Sequence, residues 1–225
     1  MSVSALSAST QNYLKVIWGL QEWTDGPVTT TDIAEKMQLK VSTVSDGVRK
    51  LADQGLVKHA RYGDVELTPE GRAHALAMVR RHRLIETFLV QVLHYRWDQV
   101  HDEAEQMEHA VSDMMIERLD ELLEHPVRDP HGDPIPAPDG AVHQLDAFPM
   151  GEAPHRAPAK IERISDDDPE FLKYLADHRI GVGTELEIQE GAPFSGGIEI
   201  RSKGSSGPVV LGREASNAIW VSLLR

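Results

Sequence analysis

A run of potential metal ligands lies near the middle of the chain, in the segment His101-Asp-Glu-Ala-Glu105-Gln-Met-Glu108-His109. At about 100° per residue, positions 101, 105, 108 and 109 fall within an arc of roughly 100° on one helix face. Two imidazoles and two carboxylates side by side are electrostatically unfavourable unless a positive charge lies among them. A divalent cation explains the pattern, and the alternative from spacing alone is a solvated acidic helix face.

The composition restricts which metal could bind and where the protein works. The 225 residues contain no cysteine, which excludes disulfides, thiolate catalysis and cysteine-type zinc sites and leaves nitrogen and oxygen ligands. No apolar run approaches membrane-spanning length, and the N-terminus lacks the pattern of a signal peptide. We therefore expect a cytoplasmic protein, long enough for two compact domains or for one with an appendage.

The net charge of −13 argues at first sight against nucleic acid, because phosphate contact needs a basic surface. The charge is uneven, however, and acidic residues concentrate beyond about position 85. The segment 36–63 has six basic residues against two acidic ones: Lys36, Lys40, Arg49, Lys50, Lys58 and Arg61 against Asp46 and Asp53. A locally basic module on an acidic body is compatible with DNA binding.

The first third of the chain predicts a winged helix-turn-helix. Helical periodicity over residues 10–23 is followed by a short helix, for which Asp32 and Glu35 have the spacing of a capping box. A turn at 38–41 leads to a second helix over 42–55, with Ser42 as its N-cap. Residues 56–61 and 65–68 then form two strands joined at Tyr62-Gly63-Asp64.

The exposed side of the second helix favours DNA as the partner of this module. It carries small polar and basic side chains, which phosphates and base edges require. The alternative is a helical pair and hairpin that serve another purpose. The predicted DNA contacts are Thr30, Thr31, Lys40, Ser42, Thr43, Ser45, Asp46 and Lys50.

The rest of the chain predicts a helical region and a small β domain. Two long helices, over about 68–93 and 98–124, have more apolar surface than one pair can bury, which favours a homodimer. Residues 126–158 are rich in Pro, Gly and Asp and are predicted as a linker, of which 129–138 docks in an extended conformation on the C-terminal domain. Short strands with Gly-rich turns beyond residue 161 predict an SH3-like barrel.

Together these elements give a mainly α protein with a small β part. We place the winged helix-turn-helix at 1–74, a helical dimerisation and metal-binding domain at 75–145, and the SH3-like domain at 146–225.

Four segments resemble the diphtheria-toxin-repressor family: Thr10-Gln-Asn-Tyr-Leu14, Met78–Glu86, Val100–Asp113 and Asp129-Pro-His-Gly-Asp-Pro-Ile-Pro136. The resemblance covers essentially the whole chain. It implies a dimeric, metal-activated transcriptional repressor with an N-terminal winged helix, a helical metal-binding region and an SH3-like, FeoA-like C-terminal domain. Such a repressor binds a palindromic operator in double-stranded DNA and controls metal homeostasis.

The resemblance implies a primary metal site built from Asn12, Glu105, Glu108 and His109. Iron-responsive members have Met at the first of these positions and Cys at the second. Hard oxygen ligands suit Mn²⁺ better than sulfur does, so Mn²⁺ is the expected cofactor and Fe²⁺ or another divalent transition metal is the alternative. Asn12 replaces the usual Asp and, being uncharged, should bind more weakly. Lys15 stands where bacillus-type manganese regulators place a second acidic ligand, which argues against a two-ion cluster.

The resemblance also implies an ancillary metal site from His82, Glu86 and His101, completed by Asp167 and Glu170 of the C-terminal domain. A His–Glu pair at this helical spacing is more often a surface salt bridge, and the match with His101 is what favours a metal here. The remaining histidines, His131 among them, are predicted as solvent or turn residues.

The mechanism that the resemblance implies is linkage between metal and DNA. Metal joins the first helix to the dimerisation region and sets the distance between the two recognition helices, which must match half-sites about 34 Å apart. A metal-dependent hydrolase with Glu103 or Glu108 as general base is a rival, but no separate catalytic constellation accompanies it. A metal-independent regulator that senses an organic ligand would leave the ligand residues unexplained. We therefore expect a repressor and not an enzyme.

Overall fold

The structure is a computed structural model that describes residues 3–23, 26–59, 63–191, 196–202 and 207–224. The chain divides into two compact units. The first consists of Met1–Ile85, Glu105–Glu124 and Pro136–Val142, and the second of Glu86–Ala104, His125–Ile135 and His143–Arg225. Within the described residues, no helix is both long and apolar enough to cross a membrane.

The first unit begins with three helices around a shared apolar core. Its first elements are α1 (Ala8–Glu22), α2 (Thr30–Lys36), α3 (Val41–Asp53), β1 (Val57–His59) and β2 (Val65–Leu67). Leu14, Ile33 and Val48, one from each helix, are completely buried, and removing their apolar area from water stabilises the helix packing. The two strands pair antiparallel, which completes the predicted winged helix-turn-helix. Residues 60–62, including the predicted turn residue Tyr62, lie outside the described residues.

The starts of α2 and α3 differ from the prediction. The capping box of α2 joins Thr29 and Asp32, not Asp32 and Glu35, because the Thr29 hydroxyl accepts from the amide of Asp32 while the Asp32 carboxylate accepts from the amide of Thr29. The N-cap of α3 is Lys40, not Ser42. The side chain of Ser42 therefore lies exposed in the first turn of α3 instead of capping it.

The single helix predicted over about 98–124 is wrong. After α4 (Pro69–Gln91), the structure has two α-helices in this part of the chain, α5 (Val100–Met107) and α6 (Asp113–Leu122). The guanidinium of Arg81 donates to the carbonyl oxygens of Glu108 and Val111, which takes up carbonyl groups that would otherwise accept from the next helical turn. Ser112 then caps α6. The segment that contains Glu108 is therefore a turn and not a helix face.

The second unit contains a six-stranded antiparallel sheet with the strand order β3-β8-β4-β5-β6-β7. Its elements are β3 (Phe148–Pro149), β4 (Pro158–Ile164), α7 (Pro169–Asp177), β5 (Glu185–Glu190), β6 (Ile198–Ser202), β7 (Val209–Leu211), α8 (Arg213–Asn217) and β8 (Ile219–Leu223). Ile161, Leu175 and Ile188 are fully buried in one apolar cluster. The predicted small SH3-like domain is confirmed.

The first part of the predicted linker is built into this second unit. The Asp129 carboxylate accepts from the amides of His131 and Asp133 and forms a tight turn. Gly132 has a φ of +90°, and a Cβ there would lie 2.1 Å from the carbonyl oxygen of Glu162, so glycine is required. The carbonyl of His131 also accepts from the end of β4. His131 lies in this turn, which was one of its two predicted alternatives, but it is completely buried and not a solvent residue.

Candidate metal centre

Four side chains of the first unit form a compact polar cluster, which we call the primary cluster: Lys15 of α1, His82 of α4, Glu105 of α5 and Glu108 just after α5. Nζ of Lys15 lies 2.5 Å from Glu105 Oε1 and 2.7 and 2.9 Å from the two carboxylate oxygens of Glu108. Nδ1 of His82 lies 2.6 Å from Glu108 Oε2. Because Glu108 is completely buried, these donors replace the water that its carboxylate has lost.

The charges of this cluster are mutually stabilised. Burial by itself would raise the pKa of Glu108, but the hydrogen bond from His82 and the charge of Lys15 hold that pKa below its usual value. Burial by itself would lower the pKa of Lys15, but the carboxylates of Glu108 and Glu105 raise it. An ammonium and a buried carboxylate therefore face each other at neutral pH.

Asn12 and His109, the other two predicted primary ligands, also fit a cation. Asn12 precedes Lys15 by three positions on α1, which places both on one side of this helix. Its Oδ1 is buried and has no hydrogen-bond partner among the described residues, a costly state for an amide oxygen and one that a bound cation would relieve. Nε2 of His109 lies 3.5 Å from Glu108 Oε1.

Gln11 orients His109, and the sequence analysis missed it. The Nε2 of Gln11 donates to the carbonyl oxygens of Val3 and Leu6, at 2.8 and 3.1 Å. Its Oε1 must therefore be the atom 2.7 Å from Nδ1 of His109, so Nδ1 carries the proton that it donates. This leaves Nε2 of His109 with the lone pair that a metal ion needs. The only sequence signal was a glutamine beside a predicted ligand.

A second group of candidate ligands lies in the second unit, at Glu86, His101 and Asp166. Nδ1 of His101 is 2.8 Å from Asp166 Oδ2 and 3.6 Å from Glu86 Oε1. This contact is made by Asp166, the neighbour of the predicted Asp167. Asp167 and Glu170 are both exposed. Glu170 lies in the first turn of α7, which Asp168 caps. His82, also predicted for this site, lies one helical turn before Glu86 on α4, and its Nδ1 contacts Glu108 of the primary cluster.

The charge of His101 follows from these neighbours. Burial by itself would lower the pKa of His101, but hydrogen bonds and charge from Asp166 and Glu86 raise it to about 11. In the absence of metal, His101 is therefore a cation at neutral pH that balances the two carboxylates.

Asp129 and His131 add two further donors near Glu86 that the sequence analysis did not assign. The three side chains form a buried group whose ligand atoms all lie within 4.8 Å of one another. Nε2 of His131 donates to the carbonyl of Trp97 at 2.8 Å, while its Nδ1 is buried 3.9 Å from Glu86 Oε2. The Asp-Pro-His motif was the available signal, but the surrounding prolines and glycine predicted a linker.

The predicted DNA-binding side chains lie mostly on an exposed face of α2 and α3. Thr30 is half-buried, and seven are exposed: Thr31, Lys40, Ser42, Thr43, Ser45, Asp46 and Lys50. Asp46 pairs with Arg49 on the same face. A cleft beside α3 is lined by Ser42, Thr43 and Lys50 and by hydroxyls from the start of α1, which the sequence analysis missed: Ser7, Ser9 and Thr10.

Three parts of the chain match described families. Residues 5–65 match the iron dependent repressor N-terminal DNA binding domain, residues 68–137 match the iron dependent repressor metal binding and dimerisation domain, and residues 148–223 match the FeoA domain. Large apolar side chains on α6, Met114 and Leu122, are 70% and 58% exposed in the single chain, as expected for a surface that a second subunit covers.

Similar proteins agree with these matches. The diphtheria toxin repressor of Corynebacterium efficiens is 35% identical over 191 residues, which is 80% of this chain and 82% of that protein. The iron-dependent repressor IdeR of Mycobacterium tuberculosis is 30% identical over 231 residues, which is 97% of this chain and 99% of that protein. A solved manganese-dependent transcriptional repressor in complex with manganese has a TM-score of 0.90 and 48% identity, covering 96% of this chain and 100% of that one. The chain therefore belongs to the diphtheria-toxin-repressor family of metal-dependent, DNA-binding transcriptional repressors.

Proposed function

We propose that this protein is a manganese(II)-activated repressor that binds a palindromic operator as a homodimer in the cytoplasm and controls metal homeostasis. The observation that carries the choice of metal is the donor set of Asn12, Glu105, Glu108 and His109, which offers oxygen and nitrogen without sulfur. Such donors favour Mn²⁺ over softer ions. One similar protein is named manganese-dependent and another iron-dependent, so the proposal rests on the donors of this chain.

The ligands divide between two parts of the first unit. Asn12 belongs to α1, whereas Glu105, Glu108 and His109 lie in and just after α5. When bound, the ion supplies two positive charges that all four ligands share. Gln11 keeps Nε2 of His109 available for it, and the buried Oδ1 of Asn12 gains the partner it lacks.

Helix α1 packs directly against the recognition helix α3. The ring of Tyr13 packs over Gly47, where an added Cβ would lie 2.5 Å from the ring. The proposed ligand Asn12 and the residue that contacts α3, Tyr13, therefore lie in the same turn of α1. In a symmetric dimer the two copies of α3 must match major-groove half-sites about 34 Å apart, and fixing α1 favours that arrangement.

The DNA contacts divide by side-chain chemistry. We propose that Lys40 and Lys50 contact phosphates and that Ser42, Thr43 and Ser45 approach base edges. Thr30, Thr31 and Asp46 complete the predicted contact set around them.

We propose an ancillary cation site at Glu86, His101 and Asp166, with Asp129 and His131 as further donors. Its ligands come from α4, α5 and the segments beside β4, so its role is to order the second unit and not to contact DNA.

The test is DNA binding measured with and without metal. Fluorescence anisotropy on the protein's own promoter region should show an affinity at least about tenfold higher with Mn²⁺ than with chelator, which is within the range of allosteric coupling. Anaerobic Fe²⁺ forms the second arm, and Glu108→Gln is the matched variant that keeps the side-chain shape but removes a ligand charge. Equal affinity in chelator would refute the metal switch, and stronger activation by Fe²⁺ than by Mn²⁺ would refute the assignment of manganese.

A further inference from the structure

The exposed face of α3 carries a carboxylate, although a helix that approaches DNA phosphates favours neutral and basic side chains. Asp46 lies in the middle of α3, within the residues that match the DNA binding domain, and its side chain is 63% exposed. Val44, Val48 and Leu51 are the buried residues of this helix, which at about 100° per residue places Asp46 on the opposite side. A carboxylate there repels phosphates, a cost that a contact with a base donor can offset.

Arg49 holds the Asp46 carboxylate and leaves one of its oxygens available. Nη2 of Arg49 donates to Oδ1 of Asp46 at 2.9 Å. No other hydrogen bond reaches this carboxylate within the part of the chain that the structure describes. Because both side chains are mostly exposed, the pair contributes little to the stability of the fold. The guanidinium instead orients the carboxylate and offsets its repulsion of phosphates, while Oδ2 can accept a further hydrogen bond.

The neighbouring hydroxyl adds an acceptor and no donor. Oγ of Ser45 donates its one proton to the carbonyl oxygen of Val41, one turn back, at 2.9 Å. A serine hydroxyl can otherwise donate to a base or accept from it, but this one has only its lone pairs left for an external partner. Ser45 is exposed like Asp46. The two side chains therefore present hydrogen-bond acceptors only.

Such acceptors discriminate among the four bases by the edges that these expose in the major groove. Guanine exposes two acceptors, and thymine exposes an acceptor and a methyl group, so neither offers a donor to a carboxylate. Adenine has an amino donor, but its N7 acceptor lies beside this amino group and would repel the second carboxylate oxygen. Cytosine exposes its N4 amino group without an acceptor beside it. The chemistry of Asp46 is thus matched to cytosine.

We infer that Asp46 determines the base specificity of α3, because its carboxylate accepts from the N4 amino group of one cytosine in each operator half-site. Arg49 is a positioning residue for this contact. The inference rests on the proposed operator binding and names the base that the recognition helix selects. It also fixes how the preference should change. Asp46→Asn keeps the length of the side chain but both donates and accepts, which matches the N6 and N7 edge of adenine.

The experiment selects binding sites from randomised double-stranded DNA in the presence of Mn²⁺, with full-length wild type, Asp46→Asn and Asp53→Asn. Asp53 is exposed at the end of α3, so its variant makes the same charge change two turns away. Wild type should select cytosine at one position of each half-site, about tenfold over the other bases. Asp46→Asn should select adenine at this position, whereas Asp53→Asn should keep cytosine.

A modified base tests the same contact without any change in the protein. N4-methylcytosine keeps its pair with guanine but replaces the amino hydrogen that faces the major groove by a methyl group. At the selected position it should weaken wild-type binding about tenfold, with little effect at a cytosine outside the half-sites.

Three results would each overturn the inference: no cytosine preference in wild type, the same preference in Asp46→Asn, or undiminished binding to the methylated site. Selection of cytosine that is equally strong in chelator would refute the proposed metal switch and leave this inference standing.

Discussion

Replacing Gln11 by leucine should lower the Mn²⁺ affinity of the primary cluster by about 10- to 100-fold. Leucine has a side chain one bond shorter than that of glutamine and neither accepts nor donates a hydrogen bond. The Nδ1–H of His109 would lose its acceptor, which now lies 2.7 Å away. The ring could then rotate or move its proton to Nε2, and Nε2 would no longer be held ready for the ion.

The magnitude follows from the role of such a partner. Mutation of the group that holds a ligating histidine typically costs 10- to 100-fold in metal affinity, which corresponds to about 1.4–2.8 kcal/mol. Gln11→Leu also removes two donors, one of them to the buried carbonyl of Val3. An unsatisfied buried polar group costs about 1–3 kcal/mol, so the free energy of unfolding should fall as well.

The control variant is Gln11→Glu, which separates the two effects. A glutamate keeps an acceptor for His109 but loses both donors to Val3 and Leu6. Its stability should fall about as much as that of the leucine variant, while its Mn²⁺ affinity should stay within about threefold of wild type, because the acceptor that orients the ligand remains.

The assay is competition against a fluorescent Mn²⁺ chelator at pH 7, paired with urea unfolding of the metal-free protein. Equal loss of Mn²⁺ affinity in the leucine and glutamate variants would mean that Gln11 acts by anchoring the N-terminal segment and not by orienting His109. Wild-type affinity in both variants would refute the argument from the histidine proton altogether.

Four further predictions concern ligands and DNA contacts. Because the pKa of His101 is raised to about 11, Mn²⁺ must displace the proton of His101 at neutral pH. The Mn²⁺ affinity of the ancillary site should therefore rise about tenfold per pH unit between pH 7 and 8. Calorimetry in two buffers of different ionisation enthalpy measures the released proton. Asp166→Asn should remove one bound ion per subunit in equilibrium dialysis, whereas Asp167→Asn should not. Glu105→Cys should move activation from Mn²⁺ towards Fe²⁺, since a thiolate is a softer donor, and an unchanged metal ranking in DNA-binding titrations would contradict this. Lys50→Ala should weaken binding to every DNA sequence and lower the salt slope by about 1, and an effect confined to one operator would show that Lys50 reads bases.

Several features of the protein could be predicted because they depend on local chemistry. Helical and strand periodicity locates the winged helix, since burying one face imposes the 3.6- or 2-residue period. The absence of cysteine excludes thiolate donors from a metal site in any fold. The spacing of acidic residues and histidines around Glu105 and Glu108 indicates a cation, because like charges placed close together need a positive charge among them.

Other features depend on residues that only the folded chain brings together. Lys15 and Glu105 are 90 positions apart, and the sequence alone could suggest that a lysine disfavours a second ion but not that its ammonium lies against both glutamates. Likewise, the guanidinium of Arg81 donates hydrogen bonds to the carbonyl oxygens of Glu108 and Val111 where the predicted long helix is interrupted. Helical periodicity in the sequence does not reveal such a contact.

The same distinction explains the contact of Asp166 with His101 and the burial of His131. Three consecutive aspartates are alike in sequence, and the cap of α7 and the end of β4 decide which carboxylate meets His101. A stretch rich in proline and glycine has the composition of a linker, yet the turn at Gly132 fits closely against Glu162. Composition and periodicity indicate which secondary structure each segment prefers. Register and long-range packing decide which of several chemically similar residues reaches a given site.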